Sequence, residues 1–157
     1  MPYAAPNRVN DFVIKIGTVN GTGSASANGL LMKAVFRSGV PVVGKNYFPS
    51  NIQGLPTWYE IRVTRDGHRA RSGQVDVMVA LNPETYARDL QEVTSGGYFF
   101  YDSTWPRPAL LQMRDDVTVL GAPLARMCNE TFNGARTRIL MKNICYAGVL
   151  AALHDLD

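Results

Sequence analysis

The stretch Ile14-Lys15-Ile16-Gly17-Thr18-Val19-Asn20-Gly21-Thr22-Gly23-Ser24-Ala25-Ser26-Ala27-Asn28 decides how the chain is read, because it joins an apolar run to an amphipathic run through a glycine-rich turn. Phe12 to Ile16 alternates and is β-branched, as a strand should be. Ala27, Leu30, Leu31, Ala34 and Val35 recur at i, i+3, i+4, i+7 and i+8, which is one face of a helix. Ser24 is the expected N-cap, Gly39 the expected stop, and Pro41 prevents continuation. A strand entering a helix through Gly21-Thr22-Gly23-Ser24 leaves backbone N–H groups unpaired at the positive end of the helix dipole. Almost no side chain stands in the way, so the turn has the makings of an anion cradle. It is neither of two well-known versions. No Lys precedes Ser or Thr as the Walker pattern requires, and the dinucleotide fingerprint wants Gly or Ala where Ser26 stands. A tight turn that lets the helix pack closely on the sheet accounts for the same residues equally well.

Outward from that stretch, the bulk numbers bound the class. A chain of 157 residues implies one domain with one core. Its 46% hydrophobic and 18% charged residues are ordinary for a globular protein. The net charge of +3 is small and the basic residues are scattered, so neither nucleic acid nor a membrane surface is called for. Cys128 and Cys145 have no second cysteine or histidine at metal-ligand spacing, so no zinc or iron–sulfur site of the chain's own is expected. Free thiols suit a reducing cytosol, with a single disulfide as the alternative. Met1 to Pro6 lacks a signal-peptide pattern, and the apolar run Ile144 to Leu153 is too short to span a bilayer. A cytoplasmic protein is the expectation.

Residues 1–10 read as an extended lead-in and residues 11–157 as the folded domain. Val40 to Phe48, rich in Val, fits a strand buried on both faces, completing a strand-helix-strand unit with a right-handed crossover. The loop from Lys45 to Trp58 mixes prolines, amides and large apolar side chains, and is expected at the carboxyl end of its strand, where open α/β sheets bind ligands. Tyr59 to Arg65 alternates, so it should have one wet face before a turn at Asp66-Gly67. Val75 to Leu81 is a buried strand, and Asn82-Pro83-Glu84 starts a helix that runs to about Val93 and stops at Gly96-Gly97. Tyr98 to Tyr101 and Val117 to Leu120 are short strands; Leu124 to Phe132 and Ile139 to Leu153 are helices. In the last, the part from Ile144 to Leu153 is apolar nearly all round, which suggests burial on more than one side. It runs almost to the last residue with no cap or polar tail, so the domain reads as truncated on its C-terminal side.

No catalytic set emerges. His68 and His154 lie far apart and suit solvated positions; no nucleophile elbow occurs, and Cys128 has no His nearby in sequence. Lys45, at a strand end among prolines and amides, is suited to an anionic substrate, or is simply a surface lysine. Arg62, Arg65, Arg69 and Arg71 form a phosphate clamp or a solvated hairpin face. Phe48, Trp58 and Tyr59 are a docking surface or core.

Three blocks together carry a resemblance: Gly17 to Asn28, Lys45 to Val63, and Asn143-Ile144-Cys145-Tyr146-Ala147-Gly148. They resemble the gamma domain of 2-oxoacid:ferredoxin oxidoreductases, most nearly the 2-oxoglutarate type in which gamma is fused ahead of the alpha region. The resemblance implies a three-layer α/β/α sandwich with a mostly parallel mixed sheet, inactive alone. It implies partner alpha (pyrimidine) and beta (pyrophosphate) modules that hold thiamine diphosphate and Mg2+. Oxidative decarboxylation of the 2-oxoacid would occur there, electrons would leave through a [4Fe–4S] cluster to ferredoxin, and coenzyme A would take the acyl group. By the same resemblance Gly21, Thr22, Gly23 and Ser24 are candidates for contacting coenzyme A or for tight packing. Lys45, Asn46, Ser50 and Asn51 match the loop facing the substrate, with Lys45 suited to the distal carboxylate of 2-oxoglutarate. The chain lacks the Gly-Gly-Gln-Gly form of the first turn found in many separate gamma subunits. A stand-alone phosphate- or nucleotide-binding module and a structural interaction subunit are the other readings.

Overall fold

The strand Asp11–Val19 (β1) lies in the middle of the sheet, and each residue from Val13 to Thr18 is buried. The computed structural model describes residues 9–48 and 52–154. After β1 come α1 (Ser24–Arg37), β2 (Val42–Tyr47), β3 (Pro56–Thr64) and β4 (Val75–Ala80). A 3₁₀ turn at Pro83–Thr85 leads into α2 (Tyr86–Glu92), then β5 (Val93–Asp102), α3 (Pro108–Met113), β6 (Thr118–Ala122), α4 (Leu124–Thr131) and α5 (Ala135–Leu153). The six strands lie in the order β2-β3-β1-β4-β5-β6. β1, β4, β5 and β6 pair in parallel, whereas β3 pairs antiparallel with both β1 and β2. Only β3 therefore runs against the others, giving the mostly parallel mixed sheet.

Helices cover both faces. On one, Ala27, Leu31 and Val35 of α1, Leu124 of α4 and Tyr146, Ala147 and Leu150 of α5 pack onto Ile14, Ile16, Ile61, Val63, Val77, Val79 and Phe100. On the other, Tyr86 and Leu90 of α2 and Leu110 of α3 pack onto Val75, Met78, Phe99 and Tyr101. Burying a large aliphatic side chain contributes roughly 1.5–3 kcal/mol, so the first face, which runs under β1, β3, β4 and β5, is the main source of stability.

Local signals account for most elements. Gly39 adopts φ 80° and its N–H donates to Phe36 O at 3.0 Å, ending α1 as expected of a left-handed stop. The Asn82 side chain accepts from Glu84 N–H, and Pro83 opens the turn.

Five expectations need correction. Ser24 is the first residue of α1, not its cap; Gly23 holds that position, left-handed at φ 76° with no side-chain bond. β2 is an edge strand with no buried residue, because β3 folds back between it and β1. β3 consequently has neighbours on both sides and is buried along most of its length rather than wet on one face. α2 ends at Glu92 because the chain becomes extended at Val93, and β5 runs straight through Gly96-Gly97. Finally, α5 buries one face only: Ile139, Leu140 and Ile144 are exposed, as is Met127 of α4. The helix α3 had no clear sequence signal.

Candidate functional site

At the carboxyl ends of β1 and β2 lies an open cavity of about 290 Å³, lined by the glycine turn, Thr18, Asn20, Asn28, Asn46, Thr57 and aromatic residues that include Phe48 and Tyr59. Gly21 and Gly23 have φ of 90° and 76°, where L side chains are strained. A side chain at either position would also have to displace a neighbouring side chain. A Cβ on Gly21 would lie 2.7 Å from Gln53 Cγ, and one on Gly23 2.7 Å from Leu140 Cδ2. α1 begins without a side-chain cap and without an acidic residue in its first turn. The dipole end therefore stays positive and open to a ligand. Ser24 Oγ lies 3.1 Å from Thr18 Oγ1, presenting a hydroxyl pair beside that end.

The turn is held from two sides. Asn20 N–H donates to Leu55 O at 2.8 Å and Gly54 N–H to Asn20 O at 3.0 Å, tying it to the segment before β3. From behind, Asn143 Nδ2 of α5 donates to Thr22 O at 2.9 Å, and Tyr146 OH donates to Asn28 Oδ1 at 2.7 Å. Burial raises the Tyr146 pKa far above its ordinary value, so it remains a neutral donor. Backbone N–H groups, hydroxyls and neutral amides with no acid among them make a surface for an anionic or carbonyl-rich ligand. Among the described residues that line it there is no histidine, carboxylate or cysteine.

The opposite face of the sheet is different in kind. Lys45, Glu60 and Lys15 stand in one cross-strand row over β2, β3 and β1. Lys15, only 5% exposed, pairs with Glu92 and lies 5.7 Å from the Trp58 ring. Arg71 stacks on Tyr47 at 4.6 Å and bonds Glu60 at 3.2 Å; Arg88 stacks on Trp58 at 4.7 Å. Beneath them Asp89, fully buried, accepts from Trp58 Nε1 at 2.9 Å and Thr85 Oγ1 at 2.7 Å. Burial raises its carboxyl pKa despite those two bonds.

Of the residues singled out from sequence, Gly21, Gly23, Ser24 and Asn46 come together around the cavity. Thr22 turns inward, its hydroxyl donating to Val19 O at 2.8 Å. Lys45 is exposed on the other face, 5.4 Å from the Tyr47 ring and beside Arg62, Arg69 and Arg71, because neighbouring strand residues point to opposite sides. Ser50 and Asn51 lie outside the described residues. Sequence reasoning missed Asn28, Asn143, Lys15 and Asp89. Asn28 and Asn143 interrupt otherwise apolar helical stripes, a legible signal; nothing local marks the partners of Lys15 and Asp89.

Among the described residues no helix is long and apolar enough to cross a membrane, and no group of three or more His, Cys, Asp or Glu is placed to hold a metal. The fold has solved counterparts. It superposes on a 2-oxoglutarate:ferredoxin oxidoreductase from Magnetococcus marinus with a TM-score of 0.78 at 24% identity, over 93% of this chain and 25% of that one. A keto/oxoacid ferredoxin oxidoreductase gamma subunit from Geobacter sulfurreducens gives 0.69 at 16% identity, over 93% of this chain and 79% of that subunit. A pyruvate oxidoreductase subunit from Thermotoga maritima gives 0.61 at 13%, over 87% and 96%. In sequence, the alpha subunit of 2-oxoacid:ferredoxin oxidoreductase 2 from Aeropyrum pernix is 28% identical over 124 residues, and the chain spans 18% of that relative's length. A family model described as pyruvate ferredoxin/flavodoxin oxidoreductase matches residues 13–157. With the three-layer architecture and that match over nearly its whole length, the chain belongs to the pyruvate ferredoxin/flavodoxin oxidoreductase family.

Proposed function

We propose that residues 11–157 act as the gamma domain of a 2-oxoacid:ferredoxin oxidoreductase in the cytoplasm, with 2-oxoglutarate as the acid. The observation that carries this reading is the uncapped, glycine-lined start of α1 opening into a cavity of neutral amides and hydroxyls. Such a surface suits the phosphates and amides of coenzyme A. Gly21, Gly23 and Ser24 contact coenzyme A in this reading, while Thr22 shapes the turn; Asn46, which the resemblance assigns to the substrate loop, is moved to the coenzyme A set because it lines the same cavity. The donor set does not fit thiamine diphosphate and magnesium, since the cavity offers no carboxylate to the metal. Those groups and the [4Fe–4S] cluster belong to the alpha and beta modules and their partners. There, bound thiamine supplies the decarboxylation, and the electrons pass to ferredoxin. The domain by itself is then inactive.

On the other face Lys45, with Arg69 and Arg71 nearby, attracts the distal carboxylate of the 2-oxoacid. Ser50 and Asn51 contact the same substrate in this reading. The placement of Lys45 and Asn46 on opposite sides of β2 makes a sharp test. In the assembled enzyme, assayed by coenzyme A-dependent reduction of a viologen dye, Lys45→Ala raises KM for 2-oxoglutarate about tenfold and leaves KM for coenzyme A alone. Asn46→Ala does the reverse, with a smaller rise. Both side chains are exposed, so folding should be intact. Equal shifts in both constants from either variant would refute the split, and an assembly that turns over no 2-oxoacid would refute the whole reading. Gly23→Ala costs about 1–2 kcal/mol of stability through its positive φ and raises KM for coenzyme A. Unchanged binding in a variant that still folds would leave the turn with a packing role only.

A further inference from the structure

Cys128 of α4 and Cys145 of α5 face each other with their sulfurs 4.0 Å apart, and both are free thiols. They come from helices that pack together, and they are the chain's two cysteines. Sulfurs in contact need to approach by about 2 Å to bond, which small side-chain rotations and a slight helix shift can supply. Cys128 is sealed at 1% exposure, whereas Cys145 is partly exposed. An oxidant therefore meets Cys145 first.

We propose that Cys128 and Cys145 are an oxidative modification site, closing to a reversible disulfide that clamps α5 to α4 and thereby tightens the glycine turn. The route to the turn is short. Cys145 lies between Asn143, which holds Thr22 O, and Tyr146, which holds Asn28, and the Leu140 side chain lies against Gly23 on the same helix. With hydrogen peroxide as oxidant, the Cys145 sulfur attacks the O–O bond, leaving a sulfenic acid and one water. The Cys128 sulfur then displaces the sulfenic oxygen, which departs with the Cys128 proton as a second water. Two thiols are oxidised and one peroxide is reduced. A dithiol reverses the bond by exchange. Burial, with the neighbouring Cys145 adding to it, pushes the Cys128 thiol up to about 11, so the first attack on peroxide falls to Cys145 and closure by Cys128 is slow and speeds up with pH. The inference does not depend on what the cavity binds.

The test is graded hydrogen peroxide on the full chain, followed by mass spectrometry and amide hydrogen exchange. The intact mass is expected to fall by two hydrogens, with a Cys128–Cys145 linked peptide that dithiothreitol removes. Exchange of the amides at 22–28 is expected to slow about threefold or more on oxidation. Cys128→Ala should gain oxygen at Cys145 without that slowing. Two alkylatable thiols persisting in excess peroxide, or Cys145 passing to sulfinic acid with no linked peptide, would overturn the site. Equal slowing in Cys128→Ala would overturn the clamp.

Discussion

Lys15 and Ile16 are neighbours on β1, both almost fully buried, yet they belong to two differently built surfaces. Ile16 enters an apolar layer covered by α1, α4 and α5, with the cavity at its edge. Lys15 enters a layer that is apolar only beneath β4, β5 and their helices, and that turns ionic beneath β1, β2 and β3. The difference follows from coverage. α2 and α3 are short, at 7 and 6 residues, and leave that half of the sheet without a helix to bury apolar side chains. The chain fills the gap with paired charges over aromatic rings, which tolerate water. One face thus holds the domain together and carries the glycine-turn cavity at its rim, and the other presents paired charges.

The largest expected effect tests the first half of this contrast. Ile16→Ala should lose about 3 kcal/mol in urea unfolding, from lost burial plus an unfilled cavity. A loss below about 1 kcal/mol would show that the apolar face is not the stabilising one.

A smaller effect is expected at Asp89. Its folded pKa lies above its ordinary 3.8, so the native state holds that proton more tightly than the unfolded chain does. The associated stability is complete below the ordinary value and is lost as pH rises through the raised one. Asp89→Asn keeps a carbonyl for the Trp58 N–H and removes the titration. Denaturation midpoints followed from about pH 4 to about pH 7 should decline less in Asp89→Asn than in the parent. A profile that stays parallel to the parent's would assign the carboxylate no cost on this face.

The smallest effect should come from Lys15→Met. Glu92 keeps Arg88 at 3.5 Å and is still partly solvated, so an apolar chain of similar length should change stability by less than about 1 kcal/mol. A loss matching that of Ile16→Ala would erase the contrast between the two faces.

Much of the architecture was readable along the chain. Gly39 and Asn82-Pro83 punctuate their helices through conformational preferences that do not depend on distant contacts. The run Val75–Ala80 is apolar but for Asp76 because it is enclosed on both faces. The glycine turn was visible as well, since positive φ at Gly21 and Gly23 strains any other residue. Readings that assumed a neighbour fared worse. β2 looks like a central strand because its valines are short and apolar, but its exposure depends on whether another strand flanks it. The alternation of β3 is real, and its polar members Glu60 and Arg62 found partners in Arg71 and the Ala70 carbonyl instead of open water.

What the sequence by itself determined was the local grammar of strand, glycine turn and helix, and with it the position of a cavity-forming turn, because steric and capping preferences act within a few residues. Only the tertiary structure decided that β3 inserts between β1 and β2 against the direction of the other strands. That insertion sets β2, with Asn46 and Lys45 on its two sides, beyond β3, while the packing of α5 on α1 and of α2 on the other face brings Asn143 to Thr22 and Glu92 to Lys15 from 121 and 77 residues away. Such pairings are settled by which surfaces can be buried together, a property of the whole chain that no short window carries.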